Sequence, residues 1–209
     1  MTLAERLATG LVELGVDLPA AIQTRLLDYV ALLEKWNKVH NLTAVRDPQQ
    51  MVSQHLLDSL AVLPVLANPK TLLDVGSGGG LPGIPLAIAR THMAVTLLDS
   101  NHKKAAFLRQ AKAELGLANI DVVCERVEAW QPVKKFDAVV SRAFADLAEF
   151  VAQAGHLVAP DGVLLAMKGV YPFEEIARLP DAFQVCEIVA LKVPQLAAER
   201  HLVVVKKAA

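Results

Sequence analysis

From residue 71 onward, short apolar runs alternate with segments in which apolar residues recur every three or four positions. The first pattern is that of strands buried in a sheet, the second that of helices packed on it. Strands are predicted over 71–75, 94–99, 119–124, 136–141 and 162–167, and helices over 82–91, 102–115, 146–157 and 173–179, with Gly116 stopping the second helix. Strands joined by helices of this length form βαβ units and a parallel sheet. Two further strands, 185–193 and 202–206, close the pattern. The roughly eight residues between them, Pro194 included, are too few for a helical crossover, so the pair should form an antiparallel hairpin. Before residue 68 there is no strand pattern. Ile22, Leu26, Val30, Leu33 and Asn37, with Tyr29 and Trp36 alongside, make a one-sided helical stripe, and a shorter helix runs from near Pro48 through Met51, Leu56 and Leu60 toward Pro64. Asn68-Pro69 breaks that helix. The expectation is an α/β chain with a helical extension over 1–67 and a seven-stranded sheet domain over 68–209, in one compact unit.

Composition narrows the class. Of 209 residues, 54% are hydrophobic and 21% charged, which excludes wholesale disorder. The net charge of −1 advertises no global field for nucleic acid and leaves only a local basic face for that purpose. The first residues carry Glu5, Arg6 and Glu13 among apolar positions and read as an amphipathic helix rather than a signal peptide. No apolar run reaches the roughly 18 residues of a membrane span. Cys124 and Cys186 lack metal-ligand spacing and are expected as buried free thiols of a reducing, cytoplasmic chain. No metal site is read.

The candidate chemistry sits where the first strand ends. Leu72 to Gly83 reads Leu-Leu-Asp-Val-Gly-Ser-Gly-Gly-Gly-Leu-Pro-Gly, with five glycines in eight positions. Gly78-x-Gly80-x-x-Gly83 fits the dinucleotide fingerprint, in which a pyrophosphate sits on a helix N-terminus. Asp74-x-Gly76-x-Gly78-x-Gly80 instead resembles the class I S-adenosylmethionine-dependent methyltransferases, whose strand-end carboxylate can face a cationic ligand. An acid beside a pyrophosphate is electrostatically unhelpful, so Asp74 favours the methyl donor. Ligands of open α/β sheets bind beyond the carboxyl ends of the strands. Asp99, ending the second strand, can accept both ribose hydroxyls. Val127 and Glu128, after the third, can read an adenine edge. Ser141-Arg142-Ala143-Phe144, after the fourth, should meet the acceptor. That run is not the Asn/Asp-Pro-Pro-Tyr/Phe segment used on exocyclic amines, and no suitably placed cysteine could attack a pyrimidine. A ring nitrogen such as N7 of guanine needs no general base, and Arg142 could bond its O6 or a phosphate. Basic residues gather at Lys103, Lys104, Arg109 and Lys112, at Lys134-Lys135, and at Lys168, Arg200, His201, Lys206 and Lys207, several of them expected on the binding side. His55 and Asp58 share a helical face and either orient a loop or pair on the surface. Trp36 to Thr43 reads as a capped helix end in which Asn41 and Thr43 bond backbone.

Taken in order, Trp36-Asn37-x-x-x-Asn41-Leu42-Thr43, His55-x-x-Asp58-Ser59-Leu60, Asp74-Val75-Gly76-Ser77-Gly78-x-Gly80-x-Pro82-Gly83, Leu97-Leu98-Asp99-Ser100-x-x-Lys103-Lys104-x-x-Phe107-Leu108, Ser141-Arg142-Ala143 and Lys168-Gly169 resemble the bacterial small-subunit ribosomal RNA methyltransferase G family, also called glucose-inhibited division protein B. The resemblance spans about Leu26 to Lys206. It implies transfer of a methyl group from S-adenosyl-L-methionine to N7 of a guanine in 16S rRNA. By position it implies cofactor contacts at Gly76 and Leu81, at the Val127-Glu128 backbone and at Arg142, with Asp99 on the ribose and Arg142 the catalytic residue between cofactor and acceptor; Asp74, Ser77, Gly78 and Gly80 of the glycine turn are read as further cofactor contacts. The implied partner is 16S rRNA, free or within the 30S subunit or an assembly intermediate, met by a monomer with neither membrane nor DNA as partner. Three alternatives stay open: a small-molecule or protein methyltransferase, an NAD-linked oxidoreductase on the glycine turn, and a non-catalytic donor-binding regulator.

Overall fold

A computed structural model describes residues 1–142, 144 and 146–208; Ala143, of the Ser141-Arg142-Ala143 run, lies outside the described residues. Seven strands form one sheet: β1 (Thr71–Val75), β2 (Ala94–Leu98), β3 (Ile120–Val123), β4 (Phe136–Ser141), β5 (Val158–Lys168), β6 (Phe183–Ala190) and β7 (His201–Lys207). Their order is β3-β2-β1-β4-β5-β7-β6. β1 to β5 pair in parallel, while β7 runs antiparallel to both β5 and β6. The expected hairpin is present, and its second strand lies inside the sheet.

Alternate residues of each strand face opposite layers. Leu72, Leu97, Ala138, Val140, Leu165 and Leu202 join one apolar cluster; Leu73, Leu98, Val139, Leu164, Ala166 and Val203 join the other. The first layer holds α5 (Gly83–Ala89), α6 (His102–Glu114) and the N-terminal helices α1 (Leu3–Leu14) and α2 (Ala20–His40). The second is built on α7 (Leu147–Ala154), whose Phe150 and Val151 are buried. Thr2 and Glu5 form a reciprocal capping box at the start of α1, satisfying two backbone donors. Trp36 of α2 lies 5.6 Å from Phe107 of α6, ring centre to ring centre. Asn41 ends α2 in the left-handed conformation, φ 47°.

Several features differ from expectation. The single helix predicted from Pro48 is a composite: α3 (Pro48–Met51), a π-helical turn (Val52–Leu57) and α4 (Asp58–Leu60). β5 starts at Val158, four residues before the expected Gly162, through Ala159-Pro160-Asp161, which reads as a turn; a register shift between Phe136 and Ala138 accommodates the extra residues. The cysteines are free but not buried: Cys186 is exposed on the edge strand β6 and Cys124 is half-buried just past β3. No helix among the described residues is long and apolar enough to cross a membrane.

Candidate active site

β1 passes into a loop whose Gly76, Gly78 and Gly80 all have positive φ, 71°, 57° and 89°, a region that only glycine enters without strain. At Gly80 a side chain would also run into Ile84 and Leu108. The loop is tied to β2 by the Gly76 and Ser77 N–H groups, which donate to the Leu98 carbonyl at 2.8 and 3.1 Å. The Ser77 hydroxyl donates to the Asp74 carbonyl at 2.8 Å, and Gly80 and Leu81 fold back to the Ser77 carbonyl at 2.7 and 3.0 Å. From α2, the fully buried Tyr29 donates its hydroxyl to the Gly79 carbonyl at 2.5 Å. Burial pushes that phenol well above its usual range. One side chain of the helical extension thus holds the loop from outside the sheet.

Asp74, expected to face a ligand, lies beneath the loop. Its carboxylate is fully buried under the loop, and it is not among the residues lining the nearby depressions. Oδ2 accepts the Gly83 N–H at 2.9 Å, anchoring the start of α5, while Oδ1 has no hydrogen-bond partner. Gly83 makes room for this, since a Cβ there would meet Asp74 and Leu97. Desolvation raises the Asp74 pKa to about 7, against the opposing pull of the Gly83 N–H and of Arg142. The physical reason for the placement is local: the carboxylate satisfies an orphan N–H at the start of α5.

Beyond the ends of β1, β2 and β3 opens a depression of about 350 Å³, lined by Gly76, Asp99, Ser100, Val127, Glu128 and Phe144, among others. Asp99 is nearly buried. Its Oδ2 accepts from the Gly78 N–H and its Oδ1 from the Asn101 N–H, both at 2.9 Å, and Lys104 Nζ lies 4.0 Å away. Val127 is buried, whereas Glu128 is exposed and pairs with Arg126 at 3.6 Å.

A second, smaller depression follows the other side of the loop and is lined by Leu42, Thr43, Ser77, Gly78, Leu81 and Arg142, with Gly76 shared between the two. Arg142 also lines a third, with His55, Asp58, Lys168, Gly169 and Arg200. Of the two roles the sequence left open for Asp58, surface pairing is the one the structure excludes, and its arginine partners were not read from the sequence. Asp58 does not sit on the surface; it is 1% exposed and bridges two arginines. Oδ2 accepts from Arg142 at 3.1 Å and Oδ1 from Arg200 at 2.8 Å. Arg142 also donates to the Gln54 carbonyl at 3.1 Å. The π-helical turn displaces the backbone just before Asp58, and such turns gather at functional sites. His55, in the same turn, meets the Thr43 hydroxyl at 2.8 Å, and desolvation with the nearby Arg142 lowers its pKa to about 4. Thr43 is itself fixed by Asn37, whose Oδ1 accepts the Thr43 N–H at 2.9 Å.

Lys168 and His201 stand opposite each other in the β5–β7 register, which brings the start of β7 to the binding end of the sheet. The same register sends Lys206 and Lys207 to the far end, where Lys207 donates to the Val158 carbonyl at 3.2 Å. Lys134-Lys135 precede β4 and also lie at that end. These four lysines therefore lie at the opposite end of the sheet from Lys168 and His201: Lys206 and Lys207 because β7 runs antiparallel, Lys134 and Lys135 because they precede the parallel strand β4.

A family profile described as rRNA small subunit methyltransferase G (GidB) matches residues 22–203. A relative from Laribacter hongkongensis named ribosomal RNA small subunit methyltransferase G is 59% identical over 97% of this chain and 98% of its own length. One of the same name from Nitrosospira multiformis is 54% identical over 100% and 99%. Among solved structures, mitomycin 7-O-methyltransferase MmcR superposes with a TM-score of 0.65 at 15% identity, over 84% of this chain and 60% of that one. The sheet order, with its antiparallel last strand, is that of class I methyltransferases, and the chain belongs to the rRNA small subunit methyltransferase G family.

Proposed function

We propose that this chain transfers a methyl group from S-adenosyl-L-methionine to N7 of a guanine in the 16S rRNA of the small ribosomal subunit. The observation that carries the proposal is the placement of Arg142, which lines both the depression along the glycine loop and the arginine-rich depression beside it. A donor side and an acceptor side meet at one guanidinium. The relatives' names supply the RNA.

The residues present fit the donor. Each Asp99 oxygen accepts one backbone N–H and keeps a further lone pair for a ribose hydroxyl. The depression also falls in the roughly 300–1,000 Å³ range of small-ligand sites. In this reading the Val127 backbone and Glu128 read the adenine edge, and the loop of Gly76, Ser77, Gly78, Gly80 and Leu81 carries the amino-acid end. Asp74 supports that loop from below. The donor supplies a methyl carbon on a positively charged sulfur. Guanine N7 offers an in-plane lone pair and loses no proton on attack, so positioning suffices without a base. Arg142 donates to the guanine O6 or to a neighbouring phosphate. The helical extension, 1–67, and the sheet domain, 68–209, act as one cytoplasmic monomer.

The test offers tritiated S-adenosyl-L-methionine and the purified protein to 30S particles and to naked 16S rRNA from cells lacking this gene. Label released by borohydride and aniline cleavage at one guanine is the expected result. Absence of label from both RNAs, with donor binding intact, would overturn the proposal.

A further inference from the structure

The rim of the arginine-rich depression carries an aromatic surface that the methyl-transfer reading leaves unused. Val170, Tyr171 and Phe173 are 75%, 37% and 74% exposed. Every other phenylalanine, tyrosine and tryptophan ring of the protein, all of them among the described residues, is buried or half-buried. Burying such rings is the ordinary gain of folding, so two bare rings side by side are a departure from the rest of the chain. Their centres are 4.1 Å apart, with planes tilted by 37°, so the two rings pack on each other and Phe173 remains 74% exposed.

That face is joined to the site. Tyr171 packs edge-on against His201 at 5.6 Å, and His201 Nδ1 lies 3.1 Å from the Gly169 carbonyl. Gly169 and Arg200, the neighbours of these residues, line the third depression with Arg142 and Lys168. Three cations there, Arg142, Lys168 and Arg200, face two carboxylates, Asp58 and Glu175. The floor is therefore net positive beside an apolar, flat-faced rim. A positive floor suits a phosphate backbone, and bare rings suit the π-faces of unstacked bases.

We propose that Tyr171 and Phe173 form a stacking platform for an unpaired nucleotide of the rRNA flanking the one that enters the site. The assignment rests on the rRNA reading above and deepens it. The platform takes the base by its face, so it contributes affinity and register rather than base identity.

The test has two arms, both on 30S particles lacking the modification. In the first, transfer kinetics are compared for wild type, Phe173→Ser and Phe173→Trp. Phe173→Ser is expected to raise KM for the particles about 5- to 100-fold, the range for loss of one stacked base. The calorimetric affinity for S-adenosyl-L-methionine and the melting temperature should not move, and Phe173→Trp should restore KM. An unchanged KM in Phe173→Ser, with active wild type, would overturn the platform and leave the methyl-transfer reading intact. Inactive wild type would overturn that reading itself. In the second arm, a benzoylphenylalanine installed at position 173 is irradiated with the particles. A ribonuclease-sensitive adduct is expected. An adduct on a ribosomal protein, or none, would overturn the proposal.

Discussion

Asp58→Asn separates the arginine bridge from mere packing. The substitution keeps the shape and one acceptor oxygen while removing the charge that faces Arg142 at 3.1 Å and Arg200 at 2.8 Å. Breaking a fully buried pair from one side costs about 3–5 kcal/mol. Here the guanidiniums keep 28% and 27% of their surface in water, and asparagine still accepts one bond, so about 2 kcal/mol is expected, screened by solvent on the arginine side. In a chain of this size that lowers the melting temperature by about 4–8 °C. Transfer to 30S particles should fall by about tenfold or more, because two cations lose their shared anchor and their orientation with it. Donor affinity should fall less than transfer, since Asp58 lines only the arginine-rich depression and reaches the glycine loop through Arg142 alone. Combining Asp58→Asn with Arg200→Gln should cost less than the sum of the two, as expected of partners in one network. A variant with unchanged melting temperature and unchanged transfer would show that the bridge does not hold the arginines.

Three further outcomes follow from the geometry. Tyr29→Phe removes the buried donor to the Gly79 carbonyl and should cost about 1–3 kcal/mol; weaker donor binding by calorimetry should accompany the loss, and unaltered binding would show that the loop keeps its shape without the clamp. Asp99→Asn should weaken donor binding by about 1–3 kcal/mol, and equal affinity would remove Asp99 from the ribose. His55 is held neutral, its pKa lowered to about 4, so its contribution is complete above pH 6.5 and is lost as the pH falls through 4, about 3 kcal/mol in all. Asp74, raised to about 7, acts with the opposite sign, stabilising below about pH 4 and losing that contribution as pH rises through 7. Denaturation of wild type and His55→Gln side by side cancels Asp74, and the variant should gain about 3 kcal/mol relative to wild type between pH 7 and pH 4. Parallel curves would refute the assignment.

The regular part of this fold is written in local pattern. The runs 71–75 and 136–141 are strands because each is a short, mostly apolar run with a single acid inside it, and the pattern ends where the strand ends. The glycine turn and Asp99 are legible for the same reason, being tied to strand ends. What escaped is non-local. Asp58 meets partners 84 and 142 positions away, and Tyr29 meets a carbonyl 50 positions away. Periodicity reads Tyr29 only as one more core position, though a tyrosine among leucines is itself a hint that a hydroxyl needs a partner. The direction of β7 was legible in the short link before it. Its consequence for Lys206 and Lys207 required carrying that direction through to which end each lysine occupies.

The position of β7 bears on how the molecule is made. It is the last of these seven strands to be synthesised, yet it lies between β5 and β6 and contacts both. Until it emerges, β5 presents an unpaired edge and β6 has no neighbour to join, a state in which strands invite the wrong partners. Arg200 and His201 arrive with the same strand, so the bridge through Asp58 closes in the step that completes the sheet. A chain caught before that step lacks one of the two arginines on Asp58, and cannot complete the arginine-rich depression however well its glycine loop has formed.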